Sequence, residues 1–118
     1  MTLGKHREAI RKALEQEIDV LKKCNSPNIV SYFGSCSKED QLWILMDFCA
    51  CGSIKDVMKS TLETLDEVQL AFVCTETLKG LIYLHNMKII HHDIKAGNLL
   101  LTEKGEVKLG FYYLFYFI

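Results

Sequence analysis

The chain has 118 residues, 49% apolar and 25% charged, with a formal net charge of −1. That length suits one modest domain, and the near-balanced charge offers no basic surface for nucleic acid and no basic amphipathic segment for a membrane. Five cysteines, at 24, 36, 49, 51 and 74, are odd in number and follow no secretory signal, so reduced thiols in a cytoplasmic chain are expected rather than a disulfide framework.

From Arg7 to Cys24 the apolar residues Ile10, Ala13, Leu14, Ile18, Leu21 and Cys24 recur at three and four, the period of an amphipathic helix, and Asn25-Ser26-Pro27-Asn28 ends it. Glu17 falls on the edge of that stripe, where a carboxylate wants a partner; a neighbouring lysine or solvent would serve as well as a dedicated one. Two β-rich runs follow, Ile29 to Ser35 and Leu42 to Phe48, with the polar stretch Ser37-Lys38-Glu39-Asp40 between them, which reads as a hairpin. The wholly apolar Leu42-Trp43-Ile44-Leu45-Met46 is expected to be buried on both faces. Asp47-Phe48-Cys49-Ala50-Cys51-Gly52-Ser53 breaks the pattern and reads as a linker.

A short helix is expected from Ser53 to Lys59. Thr64-Leu65-Asp66-Glu67 has the capping-box spacing that starts a long helix running to Asn86. That helix is apolar around most of its circumference, so it is expected to be enclosed on several sides. Leu99 to Leu101 and Val107 to Leu109 are two short strands joined by Thr102-Glu103-Lys104-Gly105-Glu106.

Chemistry concentrates in His91-His92-Asp93-Ile94-Lys95-Ala96-Gly97-Asn98, just ahead of the first of these strands. A carboxylate, an ammonium two residues on and a carboxamide three beyond that can accept a hydroxyl proton, offset phosphate charge and bind Mg²⁺ through the amide oxygen. A turn rich in His, Asp, Asn and Gly is also common before a strand for purely structural reasons. Metal readings are weaker. Cys49-Ala50-Cys51 lacks a second spaced pair, and His85, His91 and His92 form a zinc set only if helix-end and loop placement are ignored.

The loop His91 to Asn98 resembles the catalytic loop of eukaryotic protein kinases, with His92 where that family usually has arginine. Cys24-Asn25-Ser26-Pro27-Asn28-Ile29-Val30, Leu42 to Met46, Gly80-Leu81-Ile82-Tyr83-Leu84-His85 and His91 to Leu101 agree with it together. From Leu14 to Leu109 the chain resembles serine/threonine kinases of the sterile-twenty-like group, which includes the Hippo and germinal-centre kinases. The resemblance implies a partial bilobal α+β fold. Residues 1–48 would be an upper-lobe remnant, 49–53 the lobe linker and 54–109 part of the lower lobe, with 110–118 a tail without counterpart.

It also implies roles. Asp93 would be the catalytic base, Lys95 the phosphate contact and Asn98 a Mg²⁺ ligand, while His91 braces the loop and Leu100 floors the adenine pocket. Met46 would guard the back of the nucleotide pocket, Asp47 and Cys49 would lie on the adenine-recognising linker backbone, and Asp56 would meet the ribose. Glu17 would pair with a lysine on a preceding strand. His92 would weaken control by an activation-loop phosphate, since imidazole lacks arginine's bidentate fork. ATP and Mg²⁺ are the implied cofactors, and protein substrates, other kinases or scaffolds the implied partners.

The sequence departs from the family as well. No glycine-rich loop or lysine strand precedes Glu17, and after Leu109, where the family has Asp-Phe-Gly, it reads Gly110-Phe111-Tyr112. The uncharged tail is far short of the roughly 20 residues that span a bilayer. Little activity is therefore expected of this chain alone. The rival readings are a non-catalytic fragment that competes with a full-length kinase, and a small metal-dependent hydrolase using His91, His92 and Asp93.

Overall fold

The computed structural model describes residues 3–38 and 41–111. Helix α1 (Leu3–Lys23) starts earlier than the apolar period alone suggests, and Lys22 and Lys23 sit in its last turn, where cations suit the negative end of the helix. Leu14, Ile18 and Leu21, one helical face, are buried. After α1 the chain does not enter the hairpin at once. Val30 N–H donates to Leu109 O at 3.0 Å and Leu109 N–H to Asn28 O at 2.8 Å, so Ile29 forms a parallel bridge to a strand eighty residues on.

Strands β1 (Tyr32–Lys38) and β2 (Gln41–Met46) then pair antiparallel, with a register irregularity between Tyr32 and Gly34. Of the expected polar turn, Glu39 and Asp40 lie outside the described residues. β2 is not buried on both faces. Trp43 and Leu45 are 61% and 65% exposed, while Leu42, Ile44 and Met46 pack on the core. The sheet has two strands, so its outer face carries no second layer among the described residues, and a half-buried alternation was hidden inside a wholly apolar run.

Helix α2 (Ile54–Thr61) is started by Ser53 and Asp56 in a reciprocal capping box. Helix α3 (Glu67–Asn86) starts at Asp66, not at Thr64: Gln69 N–H donates to Asp66 Oδ1 at 2.8 Å and Asp66 N–H to Gln69 Oε1 at 3.0 Å. Thr64 with Glu67 and Asp66 with Gln69 both have the right spacing, and Asp caps somewhat better than Thr. α3 is also less enclosed than expected. It buries Val73, Thr77, Gly80 and Leu84, whereas Val68, Leu70, Phe72, Leu78 and Ile82 are exposed. Periodicity reports how apolar a helix is; it does not report how many neighbours exist to cover it.

A single 3₁₀ turn, Ala96–Asn98, leads into β3 (Leu99–Leu101), which pairs antiparallel with β4 (Val107–Leu109). Thr102 closes the turn between them by accepting Glu106 N–H and donating to Glu106 Oε2, each at 3.1 Å. Leu14, Ile18, Leu21, Ile29, Leu84, Leu109 and Phe111 form the main core, and Ile54, Val73 and Val107 a second cluster under α2. Fully burying one such side chain contributes about 1.5–3 kcal/mol. Gly110 and Phe111 are buried too, so the packed structure continues past Leu109 into the stretch expected to be tail; Tyr112 to Ile118 lie outside the described residues. Among the described residues the architecture is α+β, two small antiparallel sheets with three α-helices.

Candidate active site

The loop after α3 is organised by His91, which is 7% exposed. Asp93 N–H donates to His91 Nδ1 at 3.2 Å, which requires the tautomer whose Nε2–H donates to Gly110 O at 2.7 Å. The imidazole stacks on Phe111 with ring centroids 4.7 Å apart. Burial pushes the His91 pKa below its usual value, against smaller opposing effects from the Gly110 carbonyl and Asp93. His92, next in line, has φ +70°, a left-handed conformation that costs a non-glycine residue roughly 1 kcal/mol, and is exposed. That reversal brings the Asp93 backbone back to the ring of His91.

Asp93, Lys95 and Asn98 converge as the spacing suggested. Asn98 is 2% exposed, and its Nδ2 donates to the Asp93 carbonyl at 2.8 Å and to Asp93 Oδ2 at 3.3 Å. Lys95 Nζ lies 3.2 Å from the same Oδ2. The Asn98 backbone is fixed as well: its N–H donates to Lys95 O at 2.9 Å and its carbonyl accepts Gly110 N–H at 2.8 Å. Gly110 thus holds His91 with its oxygen and Asn98 with its nitrogen. The Asp93 and Lys95 side chains, 44% and 47% exposed, face solvent from this fixed base.

Across the molecule, Met46 ends β2 half-buried on the core, and Asp47 begins the linker. Asp47 Oδ2 accepts Ser31 N–H at 2.8 Å and lies 3.1 Å from Lys108 Nζ. Burial raises the Asp47 pKa, but the Ser31 amide and the Lys108 ammonium outweigh it and hold the carboxyl below its usual range. Cys49 O accepts Gly52 N–H at 2.9 Å in a tight turn that needs φ +69° at Gly52. Beyond it, Cys51 N–H donates to Leu101 O and Leu101 N–H to Gly52 O, while Ser53 bridges to the buried Leu100.

Asp56 is committed to the α2 cap. Its Oδ2 accepts from the Ser53 hydroxyl at 2.7 Å and the Ser53 N–H at 2.9 Å, and these bonds lower its pKa. Glu17 is half-buried on α1 and lines a groove of about 380 Å³ together with Ile89, His91, Asp93 and Phe111. So Glu17 and Asp93 share one groove, whereas Met46 ends β2 and Asp47 and Cys49 follow it in the linker. Sequence reasoning missed Gly110, Phe111 and Lys108. Nothing local marks them, since their partners are 19 residues away for His91–Gly110 and far along the chain for Asp47–Lys108.

The family model for the protein kinase domain matches residues 1–112. The chain belongs to the protein kinase family. It is 56% identical over 104 residues to Serine/threonine-protein kinase pakF of Dictyostelium discoideum, covering 88% of this chain and 9% of that one. It is 56% identical over 94 residues to Serine/threonine-protein kinase 1 of Arabidopsis thaliana, covering 80% and 11%. To Serine/threonine-protein kinase 4 homolog A of Dictyostelium discoideum it is 51% identical over 97 residues, covering 82% and 21%. The chain therefore spans between about a tenth and a fifth of the length of these relatives. It is part of a serine/threonine kinase catalytic domain of the sterile-twenty type, with the expected α+β fold.

Protein kinases use ATP and Mg²⁺, so the donor set of this kinase segment can be tested for fit. The Asn98 amide nitrogen is spent on Asp93, which leaves the amide oxygen as the atom able to meet a cation. The second position fails. Where the resemblance places an aspartate after Leu109, the chain has Gly110 and then Phe111, whose buried ring stacks on His91 and offers a metal no lone pair. The residues present do not complete a Mg²⁺ site. His91 spends both ring nitrogens on backbone groups, which leaves it no free lone pair for the metal that a hydrolase would need there. Among the described residues no helix is long and apolar enough to cross a membrane.

Proposed function

We propose that this segment comes from a cytoplasmic enzyme that transfers the ATP γ-phosphoryl group to Ser or Thr of proteins in a signalling cascade, and that Asp93 is its base. The observation carrying this reading is the Asn98 amide bridging the carbonyl and carboxylate of Asp93, with Lys95 Nζ 3.2 Å from the same carboxylate oxygen. Asn98 and Lys95 then fix the Asp93 carboxylate on the solvent side of the loop, where a substrate hydroxyl can approach it and lose its proton. Lys95 offsets phosphate charge, and His91 holds the loop to Gly110. His92, exposed at its turn, sits where the family's regulatory arginine would be.

In the same reading residues 1–48 are upper lobe, 49–53 the linker, 54–109 lower lobe and 110–118 the divergent end. The linker backbone at Asp47 and Cys49 faces adenine, with Met46 behind it, Leu100 beneath it and Asp56 toward the ribose. Glu17, on the groove it shares with Asp93, is the partner for a strand lysine. Taken on their own these 118 residues are catalytically silent, because positioning and charge neutralisation dominate phosphoryl transfer and Phe111 takes the place of a metal ligand. The alternative reading, supported by the exposed apolar residues of α3, is a non-catalytic fragment that competes with a full-length kinase for a substrate, kinase or scaffold partner.

Calorimetry with ATP and Mg²⁺ tests the silence directly. No heat of binding is expected at millimolar nucleotide. A micromolar dissociation constant that disappears with Asn98→Ala would show instead that the half-site suffices.

A further inference from the structure

The linker is clamped at both ends, by different chemistry. At its far end Cys51, Gly52 and Ser53 are stitched to β3 chiefly through backbone groups, Cys51 N–H to Leu101 O at 3.1 Å and Leu101 N–H to Gly52 O at 2.9 Å, with the Cys51 thiol adding a long bond to Thr102 O at 3.7 Å. No charged side chain takes part in these bonds. The near end adds a charged side-chain pair to a backbone bond. Asp47 N–H donates to Ser31 O at 3.0 Å, and Asp47 Oδ2 takes both Ser31 N–H and the Lys108 ammonium.

The Asp47–Lys108 pair is not a surface contact. Its side chains are 23% and 12% exposed, so water competes weakly for either charge, and the carboxylate also carries a backbone N–H. Most exposed pairs contribute little; a half-buried, hydrogen-bonded one fixes direction. Lys108 is also the middle residue of β4. Its neighbour Leu109 is bonded to Asn28 and Val30 through the backbone, and Gly110 beyond that grips His91 and Asn98. One strand therefore holds the catalytic-type loop by its backbone and the start of the linker by a side chain.

We propose that Lys108 is a positioning residue, whose ion pair with Asp47 sets where the linker leaves β2. Its consequence for adenine rests on reading 47–49 as the nucleotide-facing linker. The brace itself does not, and it is measured without nucleotide.

The test is residue-resolved amide hydrogen exchange on the full chain. With Lys108→Met, exchange at Ser31 and Asp47 should quicken about tenfold or more, the range for losing a hydrogen bond to a charged group. Cys51 and Leu101, which report the backbone clamp, should stay within about twofold, a change under 0.5 kcal/mol. Lys108→Arg, which keeps the charge, should restore Ser31 and Asp47. If Lys108→Met folds too poorly to measure, Asp47→Asn keeps an acceptor for Ser31 while removing the ion pair, and should quicken exchange at residue 47 selectively. Equal quickening at all four amides would mean that the pair adds only general stability and would overturn the proposal. So would unchanged exchange in these variants, or a failure of Lys108→Arg to restore protection.

Discussion

Replacing Gly80 by alanine places one methyl group at a close approach of α3 to β4 and to the Asn28 backbone. An added Cβ would stand 2.8 Å from Leu109 Cδ1, 3.0 Å from Asn28 O and 3.2 Å from Leu109 Cγ. None of these can step aside at little cost. Leu109 has no exposed surface, and Asn28 O is held by Leu109 N–H at 2.8 Å. Inserting a methyl into such packing costs about 1–3 kcal/mol. The same change gains up to about 1 kcal/mol of helix propensity. The net expectation is a loss near 1.5 kcal/mol, which with an m-value of about 2 kcal/mol/M lowers the urea midpoint by about 0.7 M. Gly97→Ala is the control: its Cβ would meet nothing closer than 4.0 Å, and its midpoint should barely move. A Gly80→Ala chain as stable as the parent would refute the claim that glycine is required for β4 to dock on α3.

Two further perturbations follow from single groups. His91 is held neutral in the fold, with its pKa depressed chiefly by burial, so its contribution is present above the unfolded value of about 6.5 and is lost as pH falls through the lower folded value. Urea midpoints should decline from pH 6.5 toward 5 in the parent and flatten in His91→Gln; parallel profiles would assign the acid sensitivity elsewhere. Asp66→Ala removes the α3 cap and should cost about 0.5–2 kcal/mol, whereas Thr64→Ala should cost almost nothing. The reverse order in thermal denaturation would restore Thr64 as the start of the helix.

What the sequence could tell was local. The end of α3 at Asn86 and the limits of β3 and β4 were legible because periodicity, turn residues and spacing act within a few positions. The convergence of Asp93, Lys95 and Asn98 was legible for the same reason, since a loop of eight residues holds them all. What escaped was set by distant partners. Ile29 to Ser31 look like strand but are drawn to β4 and Asp47. Trp43 and Leu45 look like core but face outward, since hydrophobicity does not reveal whether a sheet has a second layer. Gly110 and Phe111 looked like the start of a tail without counterpart, yet Phe111 is only 6% exposed and its ring stacks on His91.

The central claim is that His91 to Asn98 is a kinase catalytic loop with Asp93 as its base, and reconstruction tests it most directly. A related kinase's glycine-rich loop and lysine strand would be joined ahead of α1, and its Asp-Phe-Gly segment and lower-lobe helices would replace Gly110 onward. The resulting protein should phosphorylate a generic Ser/Thr protein substrate, and Asp93→Asn should slow it by about 10²–10⁴-fold, the usual contribution of a general base, with nucleotide binding retained. A folded, nucleotide-binding chimera that is inactive, or equally active with and without Asp93→Asn, would contradict the account.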